Sequence, residues 1–275
     1  AVKKMKITPY EDVVLDKPLI QTIPTPSKVI TEDHTEELGV TEWTLENGVR
    51  IILKPTDFKN DEVLFSARSP GGSSLVDDNK YVAAMTATSV IKEAGIGQFN
   101  QIALDKMLAG KIARVNPYIS GIEEGFNGSA SPHDLETLFQ LIHLYFSAPR
   151  LDSSAFLAYQ ERMNGFLENR SSRPETAYRD SIQVIMAQHH LRSRPWSTEL
   201  LTEMDLGDSY EIYTDRFENA GDFSFYFVGN FTLESIKPLV ELYLGGLPDT
   251  GREEQWKDVG IKPPQNVVEK HVKKG

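Results

Sequence analysis

Cysteine is absent from the 275 residues. That excludes disulfides, thiolate metal sites and cysteine nucleophiles, so any metal would need His, Asp or Glu. An excess of basic charge is missing as well: 29 Lys+Arg stand against 40 Asp+Glu, a formal net charge of -11. A nucleic-acid-binding protein needs a basic face to release counterions, so no nucleic-acid partner is expected. No run approaches the ~20 apolar residues of a membrane span, and no apolar signal-peptide core follows the start Ala1-Val-Lys-Lys-Met-Lys. Neither a Gly-Lys-Ser/Thr phosphate loop nor a Gly-x-Ser-x-Gly nucleophile elbow occurs. Gly95-Ile-Gly97 lacks the third glycine of a dinucleotide fingerprint and reads as a helix stop.

What is present is a globular composition, 40% hydrophobic and 25% charged. A chain of this length with that composition buries roughly 70–75% of its unfolded surface, which excludes disorder for most of it. Residues 1–39 carry Lys17-Pro18, Ile23-Pro24 and Thr25-Pro26, which block regular helix and predict an extended arm or linker. Two strand-like runs, Thr41 to Glu46 and Val49 to Lys54, flank Asn47-Gly48 and predict a hairpin with a two-residue turn. A third strand starts at Glu62 and runs into Pro70-Gly-Gly-Ser-Ser, whose glycines permit a tight path into a helix over Asn79 to Glu93.

A helix over Gln101 to Leu108 and a strand pair, Lys111 to Ser120 and Ile122 to Asn127, follow. The strongest helix signal opens at Ser131-Pro132-His133-Asp134 and continues through Leu135, Leu138, Phe139, Ile142, Tyr145 and Phe146. Further helices are predicted over Asp152 to Asn169, Pro174 to Leu191, Asp208 to Asn219 and Leu233 to Leu244, with a strand over Asp222 to Gly229. Hairpins interspersed with clustered helices predict an α+β fold: a mixed or antiparallel sheet of about six strands with helices on one face. The domain is expected over 40–250. Residues 251–275, polar and weakly periodic, read as a linker toward a further domain.

The candidate chemistry is sparse. His133 and Glu136 imitate part of a zinc helix, but position 137 is Thr, and His143 lies ten residues on, about 15 Å along the axis. All three are expected on a solvated face opposite the apolar stripe. His189 and His190 diverge by about 100° on a helix and read as C-terminal donors, while His34 and His271 lie in the arms. Glu123-Glu124, Glu161, Glu168, and Asp215 with Glu218 are the conspicuous acids. Acid/base work would require burial or neighbours to separate their pKa values, so surface solvation is the expectation.

The order and wording of Thr41-Glu-Trp-Thr-Leu-Glu-Asn-Gly-Val-Arg-Ile-Ile-Leu-Lys-Pro, Phe65-Ser-Ala-Arg-Ser-Pro-Gly-Gly-Ser-Ser, Gly128-Ser-Ala-Ser-Pro-His-Asp-Leu-Glu and Tyr213-Thr-Asp-Arg-Phe-Glu-Asn-Ala-Gly-Asp-Phe resemble the pitrilysin/insulinase family. These are zinc metallopeptidases, and the likeness is to their bacterial cell-envelope form over residues 40 to 260. The resemblance implies a His-x-x-Glu-His helix after the glycine loop, with a later Glu completing the zinc site. Here the equivalent helix, Tyr81 to Glu93, contains no His. Glu161 and Glu168 lie near the place of the later ligand, but an acid without the imidazole pair does not hold catalytic zinc.

No catalytic or metal-ligating residue is therefore assigned, and substrate-binding residues are unknown. The resemblance implies a noncatalytic domain from the second half of a clamshell peptidase, forming part of a peptide-enclosing chamber and packing against a catalytic half. It further implies zinc in the full-length enzyme and none in this chain, peptide substrates reached through the whole enzyme, and a periplasmic or envelope location. The alternative is a stand-alone peptide-binding or structural subunit paired with a separate active peptidase; a homo-oligomer is also compatible.

Overall fold

Alternation of apolar and polar residues builds the sheet, because successive strand side chains point to opposite faces. The computed structural model describes residues 17–171 and 173–271. Its strands are β1 (Val29–Thr35), β2 (Val40–Leu45), β3 (Arg50–Pro55), β4 (Val63–Pro70), β5 (Ala113–Ile119), β6 (Glu123–Ala130) and β7 (Ser224–Gly229). They form one seven-stranded sheet among the described residues, in the order β1-β2-β3-β7-β4-β6-β5. β3 and β7 run parallel and every other pair antiparallel, so the sheet is mixed. The helices are α1 (Tyr81–Ala94), α2 (Gln101–Met107), α3 (Leu135–Ser147), α4 (Ser153–Ser171), α5 (Pro174–Met186), α6 (Thr198–Leu201), α7 (Leu206–Phe217) and α8 (Leu233–Leu239).

One sheet face carries the core. Trp43, Ile51, Leu53, Phe65, Phe126, Phe225 and Phe227 point inward beneath α1, α3, α7 and α8. Phe126 is central, with ring centroids 4.7 Å from Phe217 and 5.0 Å from Phe146. Such tilted contacts suit the ring quadrupole, and each fully buried Phe contributes about 1.5–3 kcal/mol relative to exposure. Among the described residues no helix covers the centre of the opposite face, where Leu64 remains 50% exposed and Arg50, Arg68 and Tyr226 line a pocket.

Four of the elements differ from the sequence reading. The hairpin loop has three residues, not two: Gly48 N–H donates to Leu45 O and Leu45 N–H to Val49 O. Only Gly48 takes a positive φ, +82°, so this is a turn followed by a bulge rather than a turn with two left-handed residues. The sheet gains a seventh strand, β1, from within the stretch read as an arm, and Leu19 from that stretch joins the core. The helix expected to run to Leu244 changes at Val240 into a single π-helical turn, Val240–Leu244, two residues after Pro238, which lacks the N–H a regular helix would use. Lastly, α5 ends at Met186 rather than Leu191, because Gln188 and His189 adopt positive φ and turn the chain.

After β4, Gly71 and Gly72 carry φ of +141° and +60°. A Cβ on Gly72 would lie 2.5 Å from Ser120 O, so only glycine lets this loop cross so close to the β5–β6 turn. That crossing places the Gly72 N–H over the buried start of β6.

Candidate functional site

The resemblance implies a zinc helix at the place of α1, and the residues of α1 decide whether a zinc site fits there. Toward α4 and α6, α1 presents Val82 and Val90, which pack with Phe156, Leu167, Leu200, Leu201 and Met204 in a separate apolar cluster. Thr86 turns its hydroxyl back to the Val82 carbonyl at 2.9 Å. Glu93, the acid of this helix, forms an ion pair with Arg162 of α4. Glu161 on α4 is exposed, and Glu168 accepts from Asn164 at 2.9 Å. Zinc requires three or four convergent N, O or S donors, and this interface offers hydrocarbon in their place. The residues do not fit the metal. Among the described residues no group of three or more His, Asp or Glu stands at metal-binding spacing.

The acids converge elsewhere, at the end of the sheet under the glycine loop. Glu123 and Glu124 are consecutive on β6, so they face opposite ways. Glu123 lies on the open face and accepts from the Tyr118 hydroxyl at 3.0 Å. Glu124 points inward and is 0% exposed. One of its oxygens accepts from Gly72 N–H, and the other, Oε1, has no partner. Burial pushes its pKa up to about 8, against the pull of the Gly72 N–H and the Arg216 guanidinium; the Glu254 and Asp222 carboxylates add to the rise.

Arg216, from the last turn of α7, is the cation of this cluster. Its side chain is only 4% exposed and forks onto Glu254 at 2.9 and 3.0 Å, while also binding Asp215. Arg252 holds Asp215 from the other side at 2.8 Å. The paired guanidiniums keep the Asp215 carboxyl below its usual range despite partial burial. Asp222 is shifted the other way, raised by burial, although it accepts from Glu254 N–H and the Ser69 hydroxyl.

These contacts fasten the chain after Asp249 across the end of the domain. Asn219 donates to Arg252 O, Lys257 N–H donates to the Ser74 hydroxyl at 2.9 Å, and the His190 ring meets Val259 O at 2.9 Å. Within and just before the stretch read as a linker, residues 249–263 form a docked strap, ending where Gln188 donates to the carbonyls of Lys262 and Pro263.

The remaining candidates do not meet. The His133 side chain is 94% exposed on the α3 approach. Glu136 accepts from the Tyr243 hydroxyl at 2.7 Å. His143 corrects the expectation of a solvated face: it is buried, and its Nδ1 donates to Tyr243 O at 3.0 Å, with burial lowering its pKa. α3 is covered almost all round between the sheet and the π-helical turn, so its polar positions are drawn inside. His190 caps the next turn, its Nδ1 accepting from Arg192 N–H, which fixes the proton on Nε2 for Val259 O. His189 stands in the left-handed region beside it. His34 Nδ1 lies 2.9 Å from the Thr41 hydroxyl, and His271 is exposed. Glu218 contacts Arg252 at 3.4 Å. Glu124, expected at the solvated surface, is instead buried, and the buried Arg216 was not among the candidates.

A mixed α+β sheet with helices on one face, a glycine loop after β4 and a long helix behind it form the fold that the comparisons find in known proteases. The chain is 25% identical over 263 residues, 95% of its length, to a zinc protease PQQL-like protein of Arabidopsis thaliana, of which it covers 24%. It superposes with a TM-score of 0.77, at 17% identity and over 95% of its length, on the periplasmic protease PqqL of Escherichia coli, covering 29% of that chain. It also matches a peptidase M16 inactive domain of Pseudomonas fluorescens (TM-score 0.63, 13% identity, 80% of this chain, 54% of that one) and pitrilysin (0.63, 14%, 88% and 26%). No family model matches. The chain is thus similar to zinc proteases of the PqqL and pitrilysin type, and spans about a quarter of the length of the curated relatives it matches.

Proposed function

We propose that this chain is a noncatalytic domain of a zinc-dependent metallopeptidase, forming one wall of a chamber that encloses peptides and packing against a half that carries His-x-x-Glu-His. The observation that carries the reading is the apolar α1–α4 interface at the family's zinc position. Its likeness to an inactive domain of an M16 peptidase supports it. In the whole enzyme, zinc would sit in the other half. On this reading residues 40–250 form the wall, flanked by an arm and by the strap that leads toward a neighbouring domain. The likeness to a protease described as periplasmic supports a periplasmic or envelope location.

Mixing the chain with a separately produced half that contains the zinc motif tests the reading. The expected result is a one-to-one complex by sedimentation, with hydrolysis of a long unfolded peptide faster than by the zinc half alone and abolished by chelation. Hydrolysis by this chain alone, surviving repurification, would overturn it. So would failure of the folded chain to associate.

A further inference from the structure

The open face of the three central strands is unlike the rest of the chain. Although the net charge is -11, the outward residues of β3, β7 and β4 include Arg50, Lys54 and Arg68 and no acid. Arg50 is neutralised by Glu42 of β2 at 2.7 Å. Among the described residues Arg68 makes no ion pair: it lies over the Tyr226 ring, 5.2 Å from the centroid, and donates to the Tyr226 hydroxyl at 3.1 Å. Arg68 pairs across the ladder with Ser224, and Ser224 with Arg50, so a small hydroxyl separates the two guanidiniums. Above them the strap holds Trp256, 52% exposed, which closes one side of a pocket of about 480 Å³. Two acids also border it: Asp222, which accepts from Ser69 and Glu254 N–H, and Glu123, which accepts from Tyr118. Both acids lack N–H donors, so a peptide carboxylate seats at Arg68 against their repulsion.

Four residues along the same two strands the surface turns apolar. Leu64 pairs with Val228, and both line a second pocket of about 260 Å³ with Phe58, which is 88% exposed. Four residues of strand span about 13 Å, and in an extended peptide residues i and i+4 also lie on one side about 13 Å apart. The two pockets thus match the pitch of a single extended segment.

We infer that this face binds an extended peptide carrying a carboxylate, seated between Arg68, Ser224 and Trp256, and a large apolar side chain four residues away, seated among Phe58, Leu64 and Val228. Lys54, beside Val228 on the neighbouring strand, adds to the attraction for acidic segments. The inference rests on the chamber-wall reading and names the class of peptide that the wall holds.

End-blocked peptides of a Gly-Ser frame, with Glu and Phe four apart in either order, test it by calorimetry and by Trp256 fluorescence on the purified chain. The expected result is binding in one order that weakens about tenfold when Glu becomes Lys, and about tenfold in Arg68→Gln, as loss of a charge-assisted hydrogen bond requires. It should also weaken on raising the salt. Leu64→Ser should weaken binding of the Glu/Phe peptide but not of the same peptide with Phe replaced by Ser, and Arg179→Gln on α5 should change nothing. Equal binding of the Lys peptide, or full affinity in Arg68→Gln, would overturn the inference. So would no binding of any peptide; if that chain still associated with the zinc half, the wall reading would stand without it.

Discussion

Raising the pH from about 5 to 9 is expected to lower the folding stability of this chain, and Glu124→Gln is expected to remove most of that loss. The folded Glu124 keeps its proton until about pH 8, whereas in the unfolded chain it ionises near 4.5. Between those values the native state binds more protons than the unfolded state, so stability falls as pH rises and levels off above about 8. At about 1.4 kcal/mol per unit, the loss is on the order of 3–5 kcal/mol. Glutamine keeps the oxygen that accepts from Gly72 N–H and never ionises. Asp222, also raised, slopes the same way, and the lowered His143 opposes it near its ordinary pKa, so the difference between wild type and variant isolates Glu124. Urea unfolding at pH 5, 7 and 9 should show near-equal stabilities at pH 5 and a more stable variant at pH 9. Parallel pH profiles would show that Glu124 does not retain its proton.

Truncating Arg216 to Ala is expected to cost about 3–5 kcal/mol, the range for removing one partner of a buried ion pair. The loss has two parts. Glu254, with a side chain only 18% exposed, is left without its cation, and the strap loses the fork that fastens it beside α7. Asp215 retains Arg252 and is less affected. Because Arg216 also lowers the Glu124 pKa, its removal should move the pH profile described above to higher pH. Hydrogen exchange distinguishes the local effect from the global one: amides at Glu254 and Lys257 should lose protection at denaturant concentrations where the sheet remains protected. A double variant Arg216→Ala/Glu254→Gln should recover part of the loss, since the orphaned charge is gone. Full protection of the strap in Arg216→Ala would show that the fork does not hold it.

The elements legible in the sequence were those with a clean period. The β2–β3 hairpin, the alternating aromatics of β7 and the capped start of α3 all stand where the pattern placed them. β1 escaped because Val29-Ile-Thr-Glu-Asp-His-Thr is an edge strand that buries little, so its pattern carries no apolar alternation. His143 escaped because α3 was read as one apolar stripe, while the helix is in fact enclosed; an isolated His in a run of Leu, Tyr and Phe was the available signal. Glu124 was legible in principle. Phe126 must point into the core, and strand alternation places the residue two before it on the same side, turning a pair of surface acids into one outside and one inside. The partners of Glu124 lie far off along the chain, in the glycine loop, α7 and the strap, and no local pattern announces their convergence.

The central claim, that the proposed noncatalytic domain carries no zinc site of its own, is tested most directly by elemental analysis of the purified chain after dialysis against trace zinc. The account predicts a zinc content near zero, because α1 and α4 meet through Val82, Val90, Phe156 and Leu167. About one zinc per chain, retained through dialysis, would contradict it.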